Sequence, residues 1–416
     1  MAQVNIDRRL KHLFDGGEWN VYDDKVLNLG VGAPGPDLLE NCCDIFEAAT
    51  THRMKYEKES NLSYIFQYGP TSGPTEVRDA IAEYFSAKYI DNPMKSEDLI
   101  ITTGASQGLH FVLSTLVDLN GIVFVDEVTY MIALDVLKQF TTFAIIPIKL
   151  NKDGVDVKEL KKIVQQKRFH SNTKTFWAMY YTVPAYHNPT GIPFSEDVCR
   201  SIADLAQKYD FLILCDDVYN ILNYTSARPP KRLFTYDKGS GNIISNGSFS
   251  KLIGPGVRIG WLEAPARLKA ILDASGIIDS GGCFNHYTAG IIASLFELKL
   301  AQAHIDKTST AYKERMFAAC DVLEHNLPAI CNWTKPWGGY FIWITLPAGV
   351  DATKFLKYSL EEEKISFIAG SRFAANPKVA VNSFRLSIAF HGKQKLTEGL
   401  TRLCGALKRF LAEEQK

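Results

Sequence analysis

No CxxC pair and no His/Cys cluster at zinc spacing occurs in the chain, although it has eight cysteines: Cys42, Cys43, Cys199, Cys215, Cys283, Cys320, Cys331 and Cys404. A zinc site or a dithiol redox motif would need that spacing, so no metal is expected. Several of the cysteines sit inside apolar runs, as Cys215 does at the end of Phe211-Leu212-Ile213-Leu214, which reads as buried free thiols in a reducing compartment. Neither sign of charge is in excess, since Lys plus Arg and Asp plus Glu both number 46. A nucleic-acid or acidic-membrane partner would call for a basic surplus, so neither is expected. No run reaches the ~20 apolar residues of a membrane-spanning helix. The first fourteen residues lack the apolar core of a signal peptide and the Ser- and Arg-rich character of a transit peptide. The last four, Glu413-Glu414-Gln415-Lys416, spell no retention or peroxisomal address. The expected location is the cytoplasm. Repeats and low-complexity tracts are also missing.

What is present is the composition of an ordinary folded protein, 46% hydrophobic and 22% charged, in 416 residues, enough for two or three domains. From Leu99 short β-rich runs alternate with helical patterns. Strands are expected at 99–103, 122–125, 143–148, 176–183 and 211–214, and helices at 106–119, 130–140, 157–167 and 195–209. Wholly apolar strands imply burial on both faces, and strand–helix alternation implies a mostly parallel sheet sandwiched by helices. After Pro265 the pattern changes to long helical stretches over 288–326, strands at 340–344 and 384–388, and helices near 353–364 and 396–411. The expected architecture is α/β, with a large domain over 51–300 and a smaller α+β domain over 301–416. Residues 1–50 would form an arm that completes the smaller domain.

Four segments carry chemistry. In Ser248-Phe249-Ser250-Lys251, followed by glycines and Arg258, an amine lies beside hydroxyls and a guanidinium that suit a phosphate. A lysine near cations and partly desolvated loses proton affinity and can attack an aldehyde. A polar loop between strands would use the same residue types. Asp216 and Asp217 end an apolar strand, the place where ligand sites open in α/β sheets. An aspartate there can keep a pyridine nitrogen protonated, and Tyr219, three positions on, can donate to a phenolate. Two capping acids in a turn are the plainer alternative. Val183-Pro184-Ala185-Tyr186-His187-Asn188-Pro189-Thr190-Gly191 is a rigid loop that presents the Asn188 amide. Its His187 reads as a packed side chain, not a catalyst. Thr103-Gly104-Ala105-Ser106-Gln107-Gly108 turns from strand into helix and offers backbone N–H groups to an anion, without the glycine and lysine pattern of a P-loop.

In order along the chain these segments resemble the pyridoxal-phosphate (PLP) dependent aminotransferases of class I/II, fold type I. The similarity runs through Tyr-Gly-Pro-Thr-Ser-Gly from Tyr68, Gly-Ala-Ser-Gln from Gly104, Asp-Glu-Val-Thr-Tyr ending at Tyr130 and Asn-Pro-Thr-Gly from Asn188. It continues through Asp-Asp-Val-Tyr from Asp216, Ser-Phe-Ser-Lys from Ser248, Arg-Ile-Gly from Arg258 and Ser-Phe-Arg-Leu-Ser around Arg385. The branch it resembles holds kynurenine/2-aminoadipate and related broad-range aminotransferases. The resemblance implies Lys251 as Schiff-base lysine and proton shuttle, Asp216 at the pyridine nitrogen, and Asn188 and Tyr219 at the ring oxygen. It implies Tyr130 stacked on the ring, and a phosphate seat made of the Ala105 and Ser106 backbone with Ser248, Ser250 and Arg258. Tyr68 would reach the phosphate of a second subunit in a homodimer. Arg385 would clamp the substrate carboxylate, with Gly32 allowing the N-terminal segment close to it. The implied reaction is ping-pong transfer of an amino group from an amino acid to a 2-oxo acid. A PLP lyase, decarboxylase or synthase on the same fold is the alternative. A non-enzymatic regulator would carry a DNA-binding domain ahead of Gly32, where only about thirty residues stand.

Overall fold

The computed structural model describes residues 25–89, 91–171, 173–225 and 229–414. The readings of the first fourteen residues, of the arm before residue 25 and of the last two residues lie outside the described residues.

Every residue of the strands Phe176–Thr182 and Leu212–Asp216 is buried, and the two lie side by side within a seven-stranded sheet. The order across that sheet is 99–102, 260–263, 243–248, 212–216, 176–182, 117–126, 144–148. Strand Gly260–Glu263 runs antiparallel to both its neighbours, and the other pairings are parallel. Successive side chains point to opposite faces, and both faces are covered. Val123, Val125, Met179, Tyr181, Leu212 and Leu214 pack into one core, while Ile122, Phe124, Ala178, Tyr180, Ile213 and Cys215 pack into a second on the other side.

Helices Ala105–Leu116, Met131–Lys138, Val157–Lys167 and Glu196–Tyr209 fall within a few residues of their expected places. Two have side-chain caps. Asp156 accepts from the amides of Lys158 and Glu159 at 3.0 Å each, and Ser195 from that of Val198 at 3.3 Å. The helical stretch after 285 divides into His286–Glu297 and Leu300–Asn326, broken where Lys299 adopts a left-handed φ of 59°.

A four-stranded antiparallel sheet, ordered 332–333, 341–345, 383–387, 368–369, forms a second layer with helices Leu300–Asn326, Ala352–Glu363 and Lys393–Glu414. Phe355, Phe367, Phe384 and Phe410 meet ring to ring within it. Leu27–Asn28 pairs in parallel with Ile365–Ser366, which ties the early chain to this part of the molecule.

Candidate active site

Five strands of the large sheet, ending at Thr102, Asp126, Thr182, Asp216 and Ser248, lead at their carboxyl ends into the segments singled out in the sequence. Between them lies a cavity of about 190 Å³ lined by Ala105, Ser106, Tyr130, Asn188, Asp216, Tyr219, Ser248, Ser250, Lys251 and Arg258, with Val183, Val218 and Pro255. Residues spread over more than 150 positions of chain are thus brought to one place.

Lys251 ends the short 3₁₀ turn Phe249–Lys251, and its Nζ donates to the carbonyl of Gly32 at 2.7 Å. The residue as a whole is half-buried, yet protein atoms crowd its amine. Burial, then the Arg385 cation, bring its pKa down to about 8, with Arg258 adding to the effect and Asp216 opposing it. Asp216 is the last residue of its strand. Its Oδ2 accepts from the Tyr181 hydroxyl at 2.6 Å, while Oδ1 is buried with no partner. Burial raises its carboxyl to about 6, against the Tyr181 bond, with Asp217 also raising it and Lys251 lowering it. The adjacent Asp217 turns away and is held by Ser245 and Asn220.

One end of the cavity is built for an anion. The helix starting at Ala105 points its first amides there, and Gly104, with φ of 95°, lies so close to Arg258 that a Cβ would come within 2.6 Å of the guanidinium. Arg258 donates to Ser250 Oγ at 3.3 Å and to the Thr103 carbonyl at 2.8 Å, and Ser248 Oγ accepts from the Ser250 amide at 3.1 Å.

Arg385 does not itself line this cavity but lies behind Asn188, which does: buried in strand Ser383–Ser387, it donates to Asn188 Oδ1 at 2.8 Å and to the Gly30 carbonyl at 2.7 Å, and its Nε has no acceptor. Its guanidinium lies 3.9 Å from the centre of the Phe341 ring and 4.8 Å from that of Phe373. Burial lowers its pKa to about 10. A Cβ on Gly32 would come 2.9 Å from Phe341, so a side chain there would displace this platform. Tyr130 and Tyr219 line the cavity itself. Burial, then Asp216, raise the Tyr130 phenol to about 12, and burial raises Tyr219 well above its ordinary value, so both remain proton donors.

His187 is fully buried, with Nε2 3.1 Å from Asp126 Oδ2 and Nδ1 2.9 Å from Thr190 Oγ1, as a packed histidine would be. Tyr68 is not in the cavity. It is 76% exposed on the loop after the 3₁₀ turn Tyr64–Phe66, beside Gly281. Tyr181, Phe341 and Phe373 were not found from sequence. Tyr181 and Phe341 sit in apolar or aromatic stretches that read as plain core, and Phe373, between Arg372 and Ala374, carries no motif.

The residues present fit pyridoxal phosphate. Its phosphate matches the helix start with Ser248, Ser250 and Arg258. A protonated ring nitrogen would satisfy the orphaned Asp216 Oδ1, and Lys251 offers an amine of lowered pKa.

The family described as Aminotransferase class I and II matches residues 24–403. Aromatic-amino-acid aminotransferase 1 of Thermococcus litoralis is 31% identical over 384 residues, 92% of this chain and 88% of that protein. Among solved structures, the chain is similar to Pyrococcus horikoshii kynurenine aminotransferase in complex with PMP, at 27% identity and TM-score 0.79, over 98% of this chain and 95% of that one. It is also similar to the multiple substrate aminotransferase from Thermococcus profundus, at 26% identity and TM-score 0.81, over 99% and 96%.

Proposed function

The chain belongs to the class I and II aminotransferases and is a PLP-dependent transaminase of fold type I acting on amino acids and 2-oxo acids, and from that premise we propose how its own residues divide the work. Pyridoxal phosphate supplies an aldehyde that condenses with amines and a ring that, protonated at nitrogen, draws electrons from a substrate's Cα. Lys251 would hold the cofactor covalently and, once displaced by an amino acid, take the α-proton at Nζ and return it on the cofactor side. A pKa of about 8 keeps a useful fraction of that amine neutral near neutral pH.

Asp216, through Oδ1, would keep the ring nitrogen charged, and Asn188 and Tyr219 would bond the ring oxygen. Because Asn188 Oδ1 accepts from Arg385, its amide N–H₂ is the group that faces the other way as donor. Tyr130 would lie on the ring face. The Ala105 and Ser106 amides, Ser248, Ser250 and Arg258 would hold the phosphate. Arg385 would grip the α-carboxylate, with Nε as the donor lacking an acceptor and Gly32 keeping the approach clear. Both half-reactions would use this one carboxylate site in turn, in ping-pong order.

The likeness to kynurenine and multiple-substrate aminotransferases supports a broad amino-donor range. Leu62, Phe66, Tyr68 and Tyr287 are exposed, and the Phe66 and Tyr287 rings lie 5.7 Å apart, which suits packing against a second copy, so the working unit proposed is a homodimer with Tyr68 reaching the partner's phosphate. The cysteines are free, which fits the reducing cytoplasm. The proposed divisions are an arm over 1–50, a large domain over 51–300 and a small domain over 301–416, supported by the pairing of Leu27–Asn28 with Ile365–Ser366.

The observation that carries this reading is the pairing, in one cavity, of a buried amine of lowered pKa with an orphaned carboxylate oxygen. Borohydride reduction of the holoenzyme followed by peptide mapping should place the PLP adduct on Lys251. An adduct on any other lysine ends the assignment.

A further inference from the structure

The carbonyl of Lys251 is held by contacts separate from the one its amine makes to Gly32. The amides of Leu252, Ile253 and Gly254 all turn back to the carbonyl of Phe249, so the 3₁₀ turn closes on the residue two before the lysine. Lys251 O instead meets two phenols. The Tyr340 hydroxyl lies 2.7 Å from it and the Tyr312 hydroxyl 3.5 Å, and the two hydroxyls are 2.7 Å apart. Both side chains are fully buried, with rings 4.7 Å apart at 60°. Burial raises both phenols well above their ordinary range, so each keeps its single proton.

Proton counting orders this triad. A carbonyl only accepts, and each phenol has one proton to give. The shorter contact makes Tyr340 the donor to Lys251 O, which leaves Tyr312 to donate to the Tyr340 oxygen. Such a chain strengthens the terminal bond by polarisation.

Tyr312 sits in helix Leu300–Asn326 and Tyr340 directly precedes strand Phe341–Thr345, so both come from the part of the chain that forms the smaller sheet layer. The segment before Tyr340 is bonded to the loop beyond Asp216: Gly339 N donates to Leu222 O, Tyr224 N to Trp337 O, and Tyr224 OH to Gly339 O at 2.7 Å. The Tyr340 ring also lies 5.3 Å from that of Tyr219. One short segment therefore touches the Tyr219 loop, the main chain of Lys251 and, through Phe341, the face of Arg385.

We propose that Tyr340 and Tyr312 are positioning residues, a two-phenol clamp that fixes the main chain of Lys251 so that its amine can serve both cofactor linkage and proton transfer. The inference rests on Lys251 being the cofactor lysine. The two hydroxyls act through the lysine's own backbone; the Tyr340 ring lies 5.9 Å from Lys251 Nζ, and Tyr340→Phe keeps that ring in place.

The test compares Tyr340→Phe, Tyr312→Phe and the double variant as holoenzymes. Both changes keep the ring and remove only the hydroxyl. In Tyr340→Phe the Tyr312 hydroxyl is near enough to take over part of the bond, so the single variants should slow single-turnover amino transfer by only about threefold, and the double variant by about thirtyfold or more, with KM for the donor within about threefold. The pH midpoint of the cofactor's visible absorbance should shift by about half a unit or more in the double variant, a readout that simple packing would not move. In the cofactor-free double variant, amide exchange at residues 252–254 should quicken. A double variant that melts earlier but keeps the wild-type rate and absorbance midpoint overturns the clamp. If borohydride places the adduct on another lysine, the underlying assignment falls instead, so the two failures are told apart.

Discussion

Tyr181 donates its hydroxyl proton to Oδ2 of Asp216 at 2.6 Å, and the other oxygen of that carboxylate is buried without a partner. One oxygen is thereby fixed by the neighbouring strand while the second, on a residue that lines the cavity, is left to another donor. The pairing of Tyr181 with Leu214 in adjacent strands puts Tyr181 and Asp216 on the same sheet face.

This arrangement makes cofactor uptake depend on the charge of Asp216. The carboxyl, raised to about 6 in the cofactor-free chain, must be ionised to accept from a protonated ring nitrogen, so PLP affinity should weaken as pH falls through that value. The Tyr181 bond favours the ionised form, and Tyr181→Phe should move the midpoint of uptake upward by about one unit. Fluorescence titration with PLP across pH measures both, and an unmoved midpoint in Tyr181→Phe would count against the coupling. Asp216→Asn should slow α-proton removal by on the order of 100-fold or more, whereas the change at Asp217 should be far milder.

Lys251 should titrate well below an ordinary lysine. Its pKa of about 8 predicts that, in cofactor-free protein, its labelling by an amine-selective reagent rises through that pH while surface lysines react only at higher pH. The Asp216 charge holds the lysine's pKa up, so Asp216→Ala should bring the labelling midpoint down, and removal of the Arg385 cation should bring it up. Competitive labelling read by mass spectrometry checks the sign of each shift. A midpoint near that of surface lysines would show that the amine is not desolvated.

Arg385 supplies a planar fork that a lysine cannot copy. Arg385→Lys should retain the cofactor's absorbance but lose on the order of 100-fold in kcat/KM for both the amino acid and the 2-oxo acid, since a charged hydrogen-bond pair is worth about 1.5–3 kcal/mol. Steady-state kinetics with donor and acceptor varied separately decides it. Loss with the donor alone would place the carboxylate elsewhere.

Tyr68 lies outside its own chain's cavity, at 76% exposure. If it completes the site of a partner, mixing inactive Lys251→Ala chains with Tyr68→Ala chains should restore activity, because one site of each mixed dimer escapes both lesions. Tyr68→Phe should weaken PLP binding by ~1 kcal/mol, or somewhat more with a phosphate acceptor. Unchanged activity on mixing, with subunit exchange seen by native mass spectrometry, would leave Tyr68 as a residue of its own loop.

Residues 117–119 read as the end of a helix over 106–119, although they open the strand at 117–126, whose Leu119 and Asn120 are exposed. The strands at 176–182 and 212–216, and residues 122–126, announce themselves in sequence because burial on both faces leaves long apolar runs. Strand Ile243–Ser248 does not: Ser245, Asn246 and Ser248 break the pattern, and they are polar because they bond Asp217, the Ala105 carbonyl and Ser250 at the site. Nor does the sequence give any sign that 260–263 runs against its neighbours. The segments around Asn188, Asp216 and Lys251 were legible because their glycines, prolines and strand-end acids are local signals, and the resemblance to a known family joined them. Tyr181, Tyr312 and Tyr340 carried no such signal. An aromatic residue in an apolar stretch, as Tyr181 is, or on the buried stripe of a helix, as Tyr312 is, reports only that it is buried. Its hydroxyl's partner is set by strand register in the case of Tyr181, and by packing across 61 and 89 residues of chain in the cases of Tyr312 and Tyr340. Local periodicity therefore determined most of the elements and the faces they bury, while strand Ile243–Ser248 and the partners of buried polar atoms, which must be satisfied wherever the fold places them, were decided only by the tertiary structure.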